Sequence, residues 1–325
     1  RISAEDFRGG FPRRIPEEEF VGAHGKSFTL YNDYAAMLAD DSVDVISICT
    51  PHPFHVEQVE QACAAGKHVI IEKPMSLDWE GCLRIRNAVD KAGVKAMVCF
   101  EVRAISAMLT YKQLLAGDLI GHVHYAEIDY YHGIGPWYGQ FRWNTKRNAG
   151  GSSLLSAGCH ALDALLLCMD GEVDSVSSYS TGSKNKDFKK YEYNTSSVTI
   201  LKFKDGRIGK TASVIDCLQP YYFHTHLVGS EGSLLDNKFH STKLGGANSL
   251  DKNKWSELSM KLLDSGDVSD HPYQTQFEEF FSALARGKDM PLTDFHTAAR
   301  SHEVIFAADL SAKKNKPIKL SMLRA

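Results

Sequence analysis

The sequence predicts an α/β protein: a doubly wound parallel domain that lacks its first strand–helix unit, followed by an α+β domain on a large, mostly antiparallel sheet. Three observations predict it. Residues 43–74 (VDVISICTPHPFHVEQVEQACAAGKHVIIEKP) read as strand, helix, strand. Val45, Ile46, Ile48 and Cys49 form a short, nearly continuous apolar run, as does Val69-Ile70-Ile71, the pattern of strands buried on both faces of a parallel sheet. No glycine-rich phosphate turn precedes them, although a doubly wound nucleotide fold opens with one. From residue 173 onward, short alternating strands separated by turn signals replace that pattern.

In chain order, residues 1–25 are polar and uneven, and Arg13-Arg14 with Glu17-Glu18-Glu19 suit a loop entering a solvated helix. Residues 34–39 read as a short helix. After the strand at 45–49, Pro53 suits a first helical turn, Val56, Val59 and Cys63 recur at helical spacing, and Gly66 stops the helix. Residues 77–92 form an amphipathic helix with Cys82, Leu83, Ile85 and Val89 on one face, and 96–100 a further buried strand. A domain boundary is placed after Arg103, dividing the chain into residues 1–103 and 104–325.

Beyond it come a helix at 106–115, a strand at 122–131, an aromatic- and glycine-rich loop at 133–147 and a strong helix at 152–169. Strands are expected at 173–180, 197–203, 207–214, 223–228 and 233–235, with Asp205-Gly206 as a hairpin turn. Lys184 to Lys190 read as a solvated loop. Helices at 277–284 and 298–312 and a strand at 317–320 close the chain, and Asp294 suits a helix cap. Gly133 and Gly135 have the spacing of a phosphate turn, but Tyr138 stands where its third glycine belongs.

Composition narrows the function. The 325 residues, 43% hydrophobic and 24% charged, are those of an ordinary globular protein, and a formal charge of −3 argues against nucleic acid as a partner. No apolar run reaches the roughly 20 residues of a membrane span; the densest, 161–169, contains Asp163. Seven scattered cysteines without a CxxC pair suggest a reducing, cytoplasmic setting and no metal site.

Chemistry is expected where the parallel strands end, at Thr50-Pro51 and Glu72-Lys73-Pro74. The Lys73 ammonium there can stabilise a developing alkoxide or pass a proton. The bland alternative is a pair of solvated charges closing a strand. A second cluster, Gly150-Gly151, Ser156, Gly158, His160 and Asp163, lies at the start of the strong helix. Positions 156, 160 and 163 fall on one helical face, and a histidine there suits proton acceptance from a hydroxyl. Trp137, with Tyr138 and Trp143, can offer an apolar platform to a sugar ring; Tyr222, His224 and His226 alternate along one strand face.

TPxxxH, a helix, a strand and then EKP, followed downstream by GG and GxHxxD, resembles the glucose–fructose oxidoreductase / inositol dehydrogenase superfamily, Gfo/Idh/MocA. Phe100-Glu101-Val102-Arg103 stands where that family has an aromatic, a polar residue and an arginine. The family's aspartate falls on Ser156, which can share a hydrogen bond but cannot hold a charge. Asp163 or a tyrosine would then supply the missing group.

The resemblance implies an enzyme dependent on NAD or NADP that oxidises a secondary hydroxyl of a sugar, glycoside or cyclitol, assembled as a homo-dimer or homo-tetramer. It implies Lys73 and His160 as proton-handling residues, Thr50, Pro51, His55, Glu72 and Lys73 at the cofactor, and Ser156, Asp163, Arg103 and Trp137 near the substrate. It also implies a cis Lys73–Pro74 peptide. Two rivals share the fold: a non-catalytic dinucleotide or sugar sensor, and a glycoside-cleaving enzyme that oxidises its substrate only transiently. Because the resemblance begins within the first domain, the chain reads as N-terminally incomplete.

Overall fold

A computed structural model describes residues 29, 31–134, 141–244, 254–262 and 271–324. The expectations for residues 1–25, and those for Gly135, Trp137 and Tyr138, lie outside them. After a short helix α1 (Tyr34–Leu38), the chain builds the expected crossover: β1 (Val45–Ile48), α2 (His55–Ala64) and β2 (His68–Ile71). Helix α3 (Trp79–Ala92) and β3 (Ala96–Val98) complete a parallel sheet of order β1-β2-β3. Asp78 caps α3 by accepting the Gly81 N–H at 2.7 Å, and Gly93 ends it at φ +66°, a left-handed value that costs glycine little.

One face of this sheet, through Ile46, Ile48, Val69 and Ile71, packs on α2 and α3. The other, through Ile70, Met97 and Cys99, is covered by α6 (Tyr273–Ala285), whose Phe280 is 1% exposed. A parallel sheet needs both faces covered, which explains why its strands lack alternation. The second cover comes from nearly two hundred residues downstream, roughly the spacing of β3 and α6 in sequence.

Helix α4 (Ser106–Ala116) leads into β4 (Val123–Tyr131), the centre of a nine-stranded sheet. A wide π-type turn (Leu154–Gly158) then runs into α5 (Cys159–Met169). Strands β5 (Val173–Thr181), β6 (Ser196–Phe203), β7 (Ile208–Val214), β8 (Tyr222–Gly229) and β9 (Gly232–Leu235) follow as expected, with Gly206 at φ +93° in the β6–β7 turn. Strands β10 (Lys238–Ser241) and β11 (Ser256–Glu257) were not expected; short and half-polar, they carry little sequence signal. The order is β11-β10-β9-β8-β4-β7-β6-β5-β12, antiparallel except for β4 with β7; β12 is Ile318–Lys319.

Helix α7 (Phe295–Lys314) is capped by Asp294, whose carboxylate accepts the His296 and Thr297 N–H groups at 3.0 Å. It contacts α3, β3, α5 and β5, so it touches the covers of both sheets.

Three expectations need correction. The helix expected at 152–169 is a π turn followed by an α-helix, because Ser152 to Gly158 must pass between the two sheets. The stretch Arg147–Met169 is long and apolar enough to cross a membrane (23 residues, mean hydropathy 1.4); 89% of its apolar window is buried inside the protein, which makes it a core helix. The loop at 184–190 is not wholly solvated, since Phe188 is 5% exposed and stacks against Tyr191. The seven cysteines are all unpaired.

Truncating Phe280 removes the largest buried side chain joining α6 to the parallel sheet. Phe280→Ala is expected to lower unfolding free energy by about 3–5 kcal/mol, measured by urea denaturation.

Candidate active site

The strand registers fix what stands at the carboxyl edge of the parallel sheet. Ile48 pairs with Ile71 and Ile71 with Val98, so the next residues, Cys49, Glu72 and Cys99, lie side by side. Lys73 and Pro74 follow, and their peptide is cis as expected. Two buried histidines hold this turn. His55, 0% exposed, sits between the Pro74 carbonyl (Nδ1, 3.0 Å) and the Thr50 carbonyl (Nε2, 2.7 Å), tying the ends of β1 and β2 together. His302 on α7 accepts the Met75 N–H at its Nε2 (3.0 Å), while its Nδ1 lies 2.8 Å from the Ala298 carbonyl. Burial lowers the His302 ring to about 4, consistent with a neutral ring that donates from Nδ1 and accepts at Nε2.

The Lys73 side chain is half-buried and donates to the Ser156 carbonyl at 3.0 Å. Ser156 thus meets the lysine through its backbone. Its hydroxyl donates back to the Ser152 carbonyl at 2.9 Å, which departs from the expectation that it faces a substrate. The π turn allows this by widening the helix where the carbonyl of Ser156 turns toward the lysine. Gly158 is needed one residue pair later: a Cβ there would lie 2.3 Å from Ser213 Cβ on β7. Gly151 enters the turn at φ +80°.

One turn beyond Ser156, His160 is 3% exposed. Phe100 meets it edge-on at 5.8 Å, and Tyr130 of β4 stacks on it at 6.3 Å. Its Nε2 lies 3.3 Å from Glu101 Oε1; its Nδ1 is buried and has no hydrogen-bond partner. Burial, with the nearby Lys73 ammonium, His271 and His132, holds the ring well below the ordinary histidine value, so it is neutral at pH 7. The carboxylate beside His160 is therefore Glu101, and Asp163 is not its partner.

Asp163 points the other way. It forms a two-pronged ion pair with Arg103 (2.7 and 2.6 Å), both side chains 2% exposed, and accepts the Ser301 hydroxyl at 2.6 Å. The remaining guanidinium nitrogen reaches the Leu292 carbonyl and Thr297. Positions 160 and 163 lie about 60° apart on the helix, yet each side chain follows its own charge partner, Glu101 for His160 and Arg103 for Asp163. Arg103 and Asp163 join the two halves of the molecule behind the site.

Around His160, rings gather that the motifs did not flag. Tyr130 bonds His132 (2.9 Å), His132 stacks on Tyr221 at 4.4 Å, and Tyr221 stacks on His271 at 6.0 Å. His52 packs against Trp143 at 4.8 Å, bringing the 142–145 turn over the end of β1; its Nδ1 is buried without a partner. Only Ser301-His302-Glu303, three polar residues amid the apolar positions of α7, gave a readable hint of His302. His271 had no local signature. Trp137 lies outside the described residues.

The arrangement offers a neutral imidazole with one unpartnered nitrogen, an ammonium that donates to a backbone carbonyl, a buried carboxyl at Glu101 and a half-buried one at Glu72. Glu72 is raised by burial, partly offset by Lys73, and Glu101 is pushed up by burial to about 7. Such a set can move a proton and stabilise an oxyanion without a metal ligand cluster; none is found among the described residues.

Comparison with known proteins gives the family and the fold. Residues 10–100 match the model described as an oxidoreductase family with an NAD-binding Rossmann fold, and residues 108–235 match the GFO/IDH/MocA C-terminal domain. The 1-carboxy-3-chloro-3,4-dihydroxycyclohexa-1,5-diene dehydrogenase of Comamonas testosteroni is 30% identical over 55% of this chain and 41% of its own length, so the matched stretch spans less than half of that relative. The scyllo-inositol 2-dehydrogenase (NAD(+)) of Bacillus subtilis is 24% identical over 89% of this chain and 81% of its own. Among solved structures, a levoglucosan dehydrogenase in complex with NADH and levoglucosan superposes with a TM-score of 0.74 at 19% identity, covering 93% of this chain and 87% of that one.

If Asp163 holds Arg103 and touches no substrate, Asp163→Ala strands a buried guanidinium. It is expected to cost about 3–5 kcal/mol of unfolding free energy, read by chemical denaturation.

Proposed function

The chain belongs to the GFO/IDH/MocA oxidoreductase family, and on that premise we propose that it is an NAD(P)-dependent dehydrogenase acting on a secondary hydroxyl of a sugar, glycoside or cyclitol. The observation that carries this reading is the convergence of Lys73 from the parallel sheet with His160 from the helix beneath the antiparallel one, across the Ser156 carbonyl. A sensor has no use for a neutral imidazole with one unbonded nitrogen beside an ammonium. The named activities of the inositol and levoglucosan dehydrogenases favour hydroxyl-rich substrates.

The residues present fit a nicotinamide at the strand ends. Thr50 and Pro51 border that edge, Glu72 and Lys73 close it, and the unpartnered His52 and His160 nitrogens show polar groups left without protein partners there. His55 is sealed from any ligand and acts by fixing Thr50 and Pro74. A bound nicotinamide supplies the hydride acceptor. The Lys73 ammonium, positioned by its bond to the Ser156 carbonyl, stabilises the alkoxide as it forms. His160 accepts the hydroxyl proton at Nδ1.

The outer face of the large sheet suits a second copy of the chain. Tyr179 is 70% and Ile200 50% exposed, and Val198, Ile208 and Tyr222 extend the patch. Exposed apolar side chains gathered on one sheet face suit a partner surface. Its central strands carry an ionic strip in which Lys210 bonds Glu127 and Asp129, both at 2.7 Å, and His224 lies 3.2 Å from Asp236. The reading is a homo-oligomer joined through β5–β8.

Stoichiometric formation of NAD(P)H on adding a carbohydrate or cyclitol separates this reading from both a sensor and a transient oxidant. Lys73→Ala and His160→Ala are each expected to lower kcat by roughly 10²- to 10⁴-fold with cofactor Kd nearly unchanged; a variant that keeps wild-type turnover overturns the assignment. Light scattering at micromolar concentration is expected to give a dimer or larger, and Ile200→Lys to shift it toward monomer.

A further inference from the structure

We infer that Glu101 receives the substrate's proton from His160, with His271 as the next group along, so that the proton leaves the site through a carboxyl buried between two imidazoles. This deepens the dehydrogenase reading and rests on it. Glu101 is 5% exposed in the turn that follows β3. Its Oε1 lies 3.3 Å from His160 Nε2 and 4.0 Å from His271 Nε2. The opposite nitrogen of His160, Nδ1, is the one without a protein partner. A ring with one nitrogen unpartnered and the other against a carboxylate is placed to pass a proton through itself.

The surrounding groups make the second step necessary. Lys73, His271 and His132 and the dry setting all disfavour an imidazolium at His160, so a proton taken there has to move on. Ser156 cannot hold it. Asp163 is locked to Arg103, and Glu72 accepts the Lys73 backbone N–H at 3.3 Å. Glu101 remains, within reach and with suitable basicity. Burial raises it, the Lys73 ammonium opposes that, and the Glu72 and Asp163 carboxylates add to it, for a net value of about 7. Tyr130 and Tyr273 border the same carboxyl, as do the Cys99 and Cys159 thiols; burial raises all four, so they stay neutral with it near pH 7.

The balance is complete. The substrate carbon gives its C–H hydride to the oxidised nicotinamide, and its hydroxyl becomes a carbonyl. The O–H proton bonds to His160 Nδ1 as the Nε2 proton bonds to a Glu101 carboxylate oxygen, leaving His160 neutral in its other tautomer. Oxidation needs Glu101 ionised, so its rate rises with pH through the neutral range and is lost as pH falls through the Glu101 pKa; carbonyl reduction needs the acid form and runs the other way.

The test is a carbon-13 NMR titration of protein labelled at glutamate Cδ, without cofactor or substrate, beside pH–rate profiles. One carboxyl is expected to titrate near pH 7 in the wild type and to be missing from Glu101→Gln. That variant is expected to lose roughly 10²-fold in oxidation kcat, to lose the neutral-range acid limb and to keep its KM, whereas Glu101→Asp restores the limb in part. The relay is overturned if every carboxyl is ionised by pH 5, if the neutral titration survives in Glu101→Gln, or if that variant keeps the wild-type profile. Should Glu101→Gln fail to fold, His271→Asn leaves Glu101 in place and must shift the same titration; no shift overturns the relay. Failure of any carbohydrate to reduce NAD(P) would fell the proposed function while the titration still decides whether Glu101 carries a proton.

Discussion

Everything at the site depends on where one ammonium is held. Lys73 leaves the parallel sheet and ends 3.0 Å from a backbone oxygen that belongs to the other half of the molecule. Two buried histidines, from α2 and α7, fix the turn that carries it, and the π turn before α5 presents the oxygen that receives it. Two helices and two sheets must be correctly assembled before that single bond can form. A backbone dipole fixes where the ammonium ends.

The ionisable groups sort into two layers. Arg103, Asp163, Ser301 and Thr297 satisfy one another completely, so their role is cohesion. In front of them Glu101 and His160 are only loosely paired, at a distance of 3.3 Å and with one ring nitrogen of His160 bare. Incompletely satisfied buried groups cost stability, and their concentration at one opening is what separates this cluster from the ionic core behind it.

Much of the fold was legible because its signals are local. The apolar runs of β1 and β2, Gly66 and the Asp294 cap each act within a few residues, and the structure has them in place. Lys73 and His160 were legible as motif positions. Their partners were not: Asp163 sits three residues from His160 in sequence yet answers to Arg103, sixty positions away, and the carboxylate that does reach His160 arrives from the end of β3. Helical spacing says which residues share a face and nothing about which charge a neighbouring element brings to it. His271 and His302 reach the site only through the tertiary return of the last two long helices, which no periodicity encodes.

That return has a mechanical consequence. After Arg103 the chain leaves the parallel sheet, builds the larger one, comes back as α6 to cover the first, and crosses again as α7 before β12 rejoins the second. The two halves are stitched by three strands of backbone instead of one linker, and the stitches are riveted by the Arg103–Asp163 pair and by His302. A hinge about a single connection would have to shear all of them at once. The geometry around Lys73 and His160 therefore depends on several separate crossings of the chain.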